Sequence, residues 1–176
     1  MEFDLQPVLR GEHLTLRPML AADLEPLWDV ARDPLLWQQH PDQTRHTRIG
    51  FERFFEAALA GHALIVADRA SGRVMGSTRY YEWDAAAQEV AIGFTFLARE
   101  YWGGHANREM KRLLIEHAAP HVQKIWFHVG KHNLRSRRAM QKIGAAQAYE
   151  AQRPQNGELM DFVYYCIEPA RWRPAQ

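Results

Sequence analysis

The sequence has little cysteine, no long hydrophobic run and almost no net charge. Its 176 residues contain one cysteine, Cys166, which excludes an internal disulfide framework and a cysteine-rich zinc module. A single cysteine also favours a reducing compartment, and no apolar run approaches the roughly 18 residues that span a membrane. The first ten residues carry two acids and no hydrophobic signal core, so we expect a cytoplasmic protein without a membrane partner.

The net charge of +1 argues against a dedicated nucleic-acid-binding protein, for which a large basic excess is expected. The charge is nevertheless uneven. Between Arg108 and Lys142 there are nine lysines or arginines and only two acids, so this stretch is +7 and the rest of the chain is −6. Such a block is usually a solvated surface, but it can also receive a compact polyanion such as a nucleotide phosphate group.

No repeat, low-complexity tract or flexible linker divides the chain, so we predict a single domain over 1–176 with its core over 13–167. Apolar spacing predicts helices over 20–32, 49–60, 106–118 and 134–143, and strands over 13–17, 62–68, 73–82, 89–97, 124–129 and 159–167. This order predicts an α+β fold, with a mixed, mostly antiparallel sheet of about six or seven strands sandwiched by about four helices.

The segment 89–97 is predicted to be a central strand covered on both sides. Alternation places one apolar set on one face (Val90, Ile92, Phe94, Phe96) and a second, largely apolar set on the other (Ala91, Gly93, Thr95, Leu97). The strand runs into Gly103 and Gly104 and then into a helix, whose first turn has free N–H groups and a positive dipole end. Such a junction can bind a diphosphate, although an ordinary turn is the more common interpretation. The lysine of a P-loop and the third glycine of a dinucleotide-binding loop are both missing.

Two stretches resemble motifs of the GNAT N-acetyltransferase superfamily. Residues 92–97 (Ile-Gly-Phe-Thr-Phe-Leu) and 101–107 (Tyr-Trp-Gly-Gly-His-Ala-Asn) resemble its acyl-CoA motif, and 133–144 resembles its second motif. The opening Leu-Thr-Leu-Arg-Pro at 14–18 is similar to the branch of ribosomal-protein N-terminal acetyltransferases (RimJ/RimL-like). The resemblance covers nearly the whole chain, about 13–167.

The resemblance implies a binding site for acetyl-CoA. The backbone of Phe96 and Leu97 would pair with the pantetheine arm, and Asn133 would bind the pantetheine or thioester side. The diphosphate would be held by a loop of six residues (Trp102, Gly103, Gly104, His105, Ala106, Asn107). The 3′-phosphate could meet three arginines of the second motif (Arg135, Arg137, Arg138).

The sequence departs from the family pattern at three positions. His105 stands where a glycine is usual, Ala91 where a glutamate is common, and Met140 where the common tyrosine acid would fall. We therefore expect Ser136 to protonate the leaving thiolate and Glu89 to serve as a base through water. Local roles compete with these expectations, since Asn133 is a natural helix N-cap and Ser136 and Glu89 fit solvated surface positions.

These observations predict an N-acetyltransferase that moves an acetyl group from acetyl-CoA to a primary amine by direct attack. The acceptor would be a protein or peptide N-terminus or a small amine. A CoA-binding module without catalysis is the alternative, favoured by the three departures. A ribosome- or RNA-associated protein is less favoured because of the near-neutral charge. No His-Glu-x-x-His pattern occurs, so no metal is expected. A homodimer is compatible with the sequence, which shows no interface.

Overall fold

The structure is a computed structural model that describes residues 3–173. Within them the chain forms eight strands: Leu9–Arg10 (β1), Leu14–Pro18 (β2), Leu64–Asp68 (β3), Val74–Asp84 (β4), Glu89–Leu97 (β5), Lys124–Gly130 (β6), Ala146–Gln155 (β7) and Glu158–Ile167 (β8). The four α-helices of this part of the chain are Leu24–Ala31 (α1), Arg48–Ala60 (α2), Ala106–Ala118 (α3) and Leu134–Lys142 (α4). None of these helices is long and apolar enough to cross a membrane.

All eight strands form one sheet in the order β1-β2-β3-β4-β5-β6-β8-β7. Neighbouring strands are antiparallel except β5 and β6, which are parallel. The predicted α+β class, the mostly antiparallel sheet and the four helices are confirmed. The prediction of six or seven strands was wrong, because β1 and β7 were missed.

The two missed strands lie at the edges of the sheet and carry no strand pattern. β1 has only two residues, too few for alternation to be seen. β7 is polar, mostly exposed and contains Pro154, which an edge strand tolerates because one side of its backbone needs no partner. Its position is decided by its ten-residue antiparallel partner β8.

The helices cover the two faces of the sheet in pairs. α3 and α4 contribute Met110, Leu114 and Met140 to the larger core cluster, which includes Ile92 of β5. α1 and α2 pack on the opposite face, where Leu27 and three phenylalanines of α2 form a second cluster with Phe96. Both faces of β5 are therefore covered, as the apolar sequence of 89–97 predicted.

A bulge at Phe94 changes the facing pattern within β5. Arg79 of β4 pairs with Gly93 but Ser77 pairs with Phe96, so β5 has one extra residue, and Phe94 adopts φ +52°. Leu97 consequently joins Ile92 in the α3 side core, while Phe96 faces α1 and α2. The predicted alternation was wrong beyond Gly93, since one inserted residue reverses the face of every residue after it.

β5 and β6 diverge soon after they begin. Their parallel pairing covers only three residue pairs, from Glu89 with Lys124 to Ala91 with Trp126. Beyond Ala91 the remaining part of β5 has no strand partner on this side, and the two strands form an open splay towards their carboxyl ends. The bulge at Phe94, in the pairing with β4, lies within this open part of β5.

Candidate active site

The open end of the splay is where both neighbouring helices begin. β5 continues into α3 and β6 continues into α4, so the amino ends of α3 and α4 follow the two diverging strands. The first turn of each helix has N–H groups without partners inside the helix and carries partial positive charge. The fold thus brings 102–107 and 133–136 to one edge of the sheet, although they are separate in sequence.

The first of these segments, residues 102–107, we call the phosphate loop. Gly103 has φ +72°, a conformation in which a side chain would be strained, and Gly103 and Gly104 are exposed. The backbone N–H groups of 103–107 form no hydrogen bond with any part of the chain that the structure describes. Unsatisfied N–H groups next to a helix start form a site for an anion.

The side chain of His105 leaves the phosphate loop instead of filling it. His105 is exposed and is the N-cap of α3 with φ −76°, a conformation that needs no glycine. Its ring lies 4.2 Å, centre to centre, from the ring of His13. Ala106 is buried behind the loop, and Asn107 is half-buried in the first turn of α3.

A cavity of about 310 Å³ lies beside the start of α3. Its lining includes the cations Arg108, Arg112 and Lys142, which suit an anion. It also includes Glu109, which is 7% exposed; one carboxylate oxygen accepts the N–H of His13 at 3.0 Å. The other, Oε2, has no hydrogen bond within residues 3–173. The ligand atoms of His13, His105 and Glu109 lie within 4.8 Å of one another, a grouping of metal-ligating types that sequence spacing did not reveal.

Trp102 and Arg135 connect the two helix starts. The indole N–H of Trp102 donates to the carbonyl of Leu97 at 2.9 Å, and the guanidinium of Arg135 lies 3.8 Å over the indole ring. Arg135 also donates to the carbonyl of Leu36, in the segment before α2. This contact fixes the phosphate loop relative to α4.

Of the three arginines expected near the 3′-phosphate, only Arg138 is exposed. Arg135 stacks on Trp102, and Arg137 donates to the hydroxyl of Tyr165 at 3.1 Å. The cations that line the cavity beside the phosphate loop lie instead on α3 and at the end of α4. The expectation for Arg135 and Arg137 depended on their position in the sequence, which does not show the direction of a side chain.

At the start of α4, Asn133 and Ser136 lie together. Asn133 is 5% exposed, and its side-chain oxygen accepts the backbone N–H of Ser136 at 3.2 Å, as expected of an N-cap. The half-buried Ser136 hydroxyl makes no hydrogen bond to any described residue, so it can donate to a ligand. Met140 is buried in the core and has no proton to donate.

Glu89 lies at the other end of β5. Its carboxylate forms an ion pair with Lys124 at 3.1 Å and accepts the indole N–H of Trp126 at 2.8 Å. Phe94 is five positions further along the strand, about 16 Å away at the usual rise per residue. The structure therefore does not bring Glu89 to the open end of the splay.

A polar cluster that the sequence did not predict crosses the sheet on the α1–α2 face. The hydroxyl of Tyr81 lies within hydrogen-bond distance of Nδ1 of His128, at 2.7 Å, and Arg153 contacts the same nitrogen at 2.9 Å. Arg153 also pairs with Glu82. Gly93 permits this contact, because a Cβ there would lie 2.8 Å from the Tyr81 ring. Burial, together with Arg153, lowers the pKa of His128 to about 4, so its imidazole is neutral at pH 7.

Lys111 of α3 lies beneath the splay. It is 3% exposed; its ammonium donates to Thr95 of β5 at 3.0 Å and lies 5.3 Å from the ring centre of Phe127 of β6. Desolvation lowers its pKa to about 7. The hydrophobic spacing of 106–118 placed this helix but gave no signal for a buried ammonium.

The fold and this site define a protein of the acyltransferase class, with an open splay beside a loop of free N–H groups. The sequence matches the family Acetyltransferase (GNAT) domain over residues 13–146, and the chain belongs to this family. Members of the family transfer an acyl group, typically from acetyl-CoA, to an acceptor.

Solved structures show the same fold. A GCN5-related N-acetyltransferase from Brucella melitensis aligns with a TM-score of 0.85 at 18% identity, covering 97% of this chain and 82% of that one. An acetyltransferase of the GNAT family from Bacillus anthracis aligns with a TM-score of 0.75 at 16% identity, covering 94% of this chain and 100% of that one. The ribosomal-protein-S5-alanine acetyltransferase from Vibrio fischeri aligns with a TM-score of 0.69 at 18% identity, covering 96% of this chain and 100% of that one. No curated protein matches the chain.

Proposed function

We propose that the chain is an acetyl-CoA-dependent N-acetyltransferase that transfers the acetyl group to a primary amine by direct attack. One observation carries the proposal. At the open splay between β5 and β6, the free N–H groups of the phosphate loop and the capped start of α4 face the same edge of the sheet. A long, thin cosubstrate with a diphosphate at one end and a thioester at the other fits this arrangement.

The residues present fit acetyl-CoA. The N–H groups of 103–107 would bind the diphosphate, and the unpaired edge of β5 up to Phe96 and Leu97 would pair with the amides of the pantetheine arm. Asn133 would contact the pantetheine or thioester side while it caps α4. The exposed Arg138 would meet the 3′-phosphate.

The chemistry requires a neutral amine, a polarised carbonyl and a proton for the leaving sulfur. A C–N bond forms as the C–S bond breaks; the amine releases one proton and the thiolate takes one up. We propose that Ser136 donates the proton to sulfur. A backbone N–H on the splayed edge would stabilise the carbonyl oxygen, a type of contact whose loss typically costs about 3 kcal/mol. Glu89 could act only through water over the distance described above.

The proposal also names the class of amine that accepts the acetyl group. The Vibrio fischeri structure is named for acetylation of an alanine of a ribosomal protein, which supports a protein N-terminus and the RimJ/RimL-like branch. Small primary amines remain the other class. A cytoplasmic location and a homodimer stay predictions from the sequence.

A CoA-binding protein without catalysis is the second candidate. It is favoured by the burial of Met140 in the core, at the position where the resemblance places a tyrosine acid. Turnover distinguishes the two candidates, since both would bind acetyl-CoA.

The first test is thermal unfolding with and without excess acetyl-CoA. A cosubstrate at 100 times its dissociation constant should stabilise the folded state by roughly 2.7 kcal/mol. The Gly103→Val variant is expected to lose most of this shift, because valine strains the left-handed backbone of the phosphate loop. The absence of any shift at millimolar acetyl-CoA would contradict both candidates.

The second test is release of free CoA thiol with a panel of primary amines and N-terminal peptides. Turnover that requires an amine supports the transferase. Binding without turnover across the panel would favour the non-catalytic candidate.

A further inference from the structure

A second cavity, of about 150 Å³, lies beside the bulge in β5. We call it the arginine cavity. It lies between α2, the segment that precedes α2 and the tip of the β7–β8 hairpin, and Phe54, Arg79, Phe94 and Asn156 are part of its lining. Because Phe94 belongs to the part of β5 that has no partner on the β6 side, the cavity lies beside the splay in which the proposed function places the thioester.

The charge of the cavity is unbalanced. Its lining contains three arginines and one carboxylate, Asp42. Asp42 is already paired with Arg45 at 3.1 Å, and the two side chains are only 11% and 6% exposed. Arg53 and Arg79 form no ion pair with a carboxylate among residues 3–173. A cavity lined by two cations without a carboxylate partner favours an anionic ligand and repels a cationic one.

Arg79 is held in position for this role. Its guanidinium carbon lies 3.7 Å over the ring of Phe94, and Nη1 donates to the carbonyl of Ala57 at 3.2 Å. Its Nε is buried and has no hydrogen-bond acceptor within the described chain, so the terminal nitrogens are the ones that can meet a ligand in the cavity. The planar fork of arginine matches a carboxylate. Stacking on Phe94 also fixes the fork beside the bulge.

The size and walls of the cavity restrict the rest of the ligand. Its volume is well below that of a pocket for a drug-sized molecule, so it accommodates about one small side chain. The rings of Phe54 and Phe94 offer apolar contact to the carbon atoms between an amine and an anionic group. A bulky polycationic acceptor is excluded by both size and charge.

We propose that the acceptor amine carries a carboxylate close to the reacting nitrogen, and that Arg79 and Arg53 bind it in the arginine cavity. This inference rests on the proposed transferase function and specifies its substrate class. The carboxylate has two sources, the α-carboxylate of a free amino acid and an acidic side chain at a peptide N-terminus.

The experiment measures CoA thiol release with three matched acceptor pairs. L-Alanine is compared with L-alaninamide, L-phenylalanine with L-phenylalaninamide, and the amidated dipeptide Asp-Ala with Asn-Ala. We expect kcat/KM at least tenfold higher for the acid in one or more pairs. A preference for the acid in the first two pairs would identify a free amino acid as the acceptor, and a preference in the third pair would identify a peptide N-terminus. Amino-acid amides have the less basic amine, so a preference for the acid does not come from a larger neutral fraction.

Variants connect this preference to the cavity. In Arg79→Gln the ratio of kcat/KM for the acid to kcat/KM for its neutral partner should fall at least fivefold. In Arg79→Lys this ratio should fall less, because the charge remains. Arg53→Gln should produce a smaller decrease, since Arg53 is exposed. Arg10→Gln, an exposed arginine on the edge strand β1, is the matched control and should keep the ratio. Unfolding midpoints and circular dichroism check that each variant folds.

The outcomes separate the two levels of the proposal. Turnover with equal or higher kcat/KM for the neutral member of all three pairs would overturn the carboxylate inference and leave the transferase standing. An acid preference that survives in Arg79→Gln would also overturn it. No CoA release from any amine would contradict the proposed function and this inference together.

Discussion

The phosphate loop and the arginine cavity both adjoin β5, but they are built from different parts. The phosphate loop is one continuous segment, 102–107, whose backbone N–H groups are the binding groups. The arginine cavity is assembled from side chains of at least four separate segments, among them Arg45, Phe54, Arg79 and Asn156. Backbone binding leaves a local pattern of glycines and a helix start, whereas an assembled side-chain site leaves no pattern along the chain.

The two regions also differ in the free-energy cost of leaving their polar groups without a partner. Gly103 and Gly104 of the phosphate loop are exposed, so water can satisfy their N–H groups before a ligand binds. Asp42 and Arg45 beside the arginine cavity are buried, and each must be satisfied by the other. Substitutions at this buried pair should therefore disturb folding, and substitutions at the phosphate loop and the start of α4 should disturb mainly binding.

The largest expected effect on folding is that of Asp42→Ala. Asp42 accepts hydrogen bonds from Arg45 at 3.1 Å and from the Thr44 hydroxyl at 2.6 Å, and its loss leaves a buried guanidinium unpaired. We expect the free energy of unfolding to fall by about 3–5 kcal/mol, measured by denaturant unfolding. The double variant Asp42→Leu with Arg45→Met should recover most of this loss, because it removes both charges. A loss below about 1 kcal/mol in the single variant would show that the pair is hydrated.

Lys111→Met should have an effect of opposite sign. The variant removes a buried ammonium whose pKa burial has lowered to about 7. We expect stabilisation by about 1–4 kcal/mol at pH 7, the range seen when buried charges are replaced by apolar groups. Lower turnover in the same variant would show that this position exchanges stability for function.

The pH dependence provides the control for Lys111. Between pH 7 and the ordinary lysine value of 10.5, the unfolded chain binds more protons at this group than the folded chain does. The contribution of Lys111 to stability therefore rises with pH over this range, and below pH 7 its full destabilisation remains. The stability difference between Lys111→Met and the natural sequence should shrink from pH 7 to pH 9.5. A difference that stays constant would show that Lys111 is not desolvated.

Asn133 allows capping and binding to be separated. Asn133→Ala should lower stability by about 1 kcal/mol, because the N–H of Ser136 loses its acceptor. Asn133→Ser keeps a capping oxygen, so its stability should fall by only a few tenths of a kcal/mol. If Asn133 also contacts the cosubstrate, both variants should show a reduced stabilisation by acetyl-CoA. An unchanged shift in Asn133→Ser would limit this residue to the cap.

The smallest effect on folding is expected for Ser136→Ala. The Ser136 hydroxyl has no hydrogen bond in the described structure, so stability should change by less than about 0.5 kcal/mol. Turnover of an accepted amine should fall by about 10² or more if the hydroxyl donates the proton to sulfur. Ser136→Thr retains a hydroxyl and should recover part of the rate. Equal rates in Ser136→Ala and the natural sequence would remove Ser136 from the mechanism.

Much of the fold followed from local pattern. Four helices and six strands were predicted close to their observed positions, because their apolar residues recur with helical or strand periods. The missed β7 has no such period, since it lies at an edge with both faces largely exposed. The bulge at Phe94 was missed for another reason. Both faces of β5 are apolar, so the sequence looks the same whether or not the alternation is reversed.

The candidate site likewise contains parts that the sequence predicted and parts that only the structure shows. The sequence placed the phosphate loop and Asn133, and the structure brings both to the open splay. The contact of Tyr81 with His128, 47 positions away, needs three neighbouring strands in register and a glycine at 93 between them. The inward directions of Arg135 and Arg137 likewise depend on Trp102 and Tyr165, which come from other parts of the chain.

By itself the sequence determined the four helices, six of the eight described strands, the glycine-containing loop at the end of β5 and the capped start of α4. These depend on backbone propensities and hydrogen bonds between near neighbours, which local residues encode. Only the tertiary structure decided how β5 and β6 diverge, which arginines face a cavity and which side chains lose their contact with water. Those properties arise when distant segments pack together, because burial and charge pairing belong to the assembled molecule and not to any one segment.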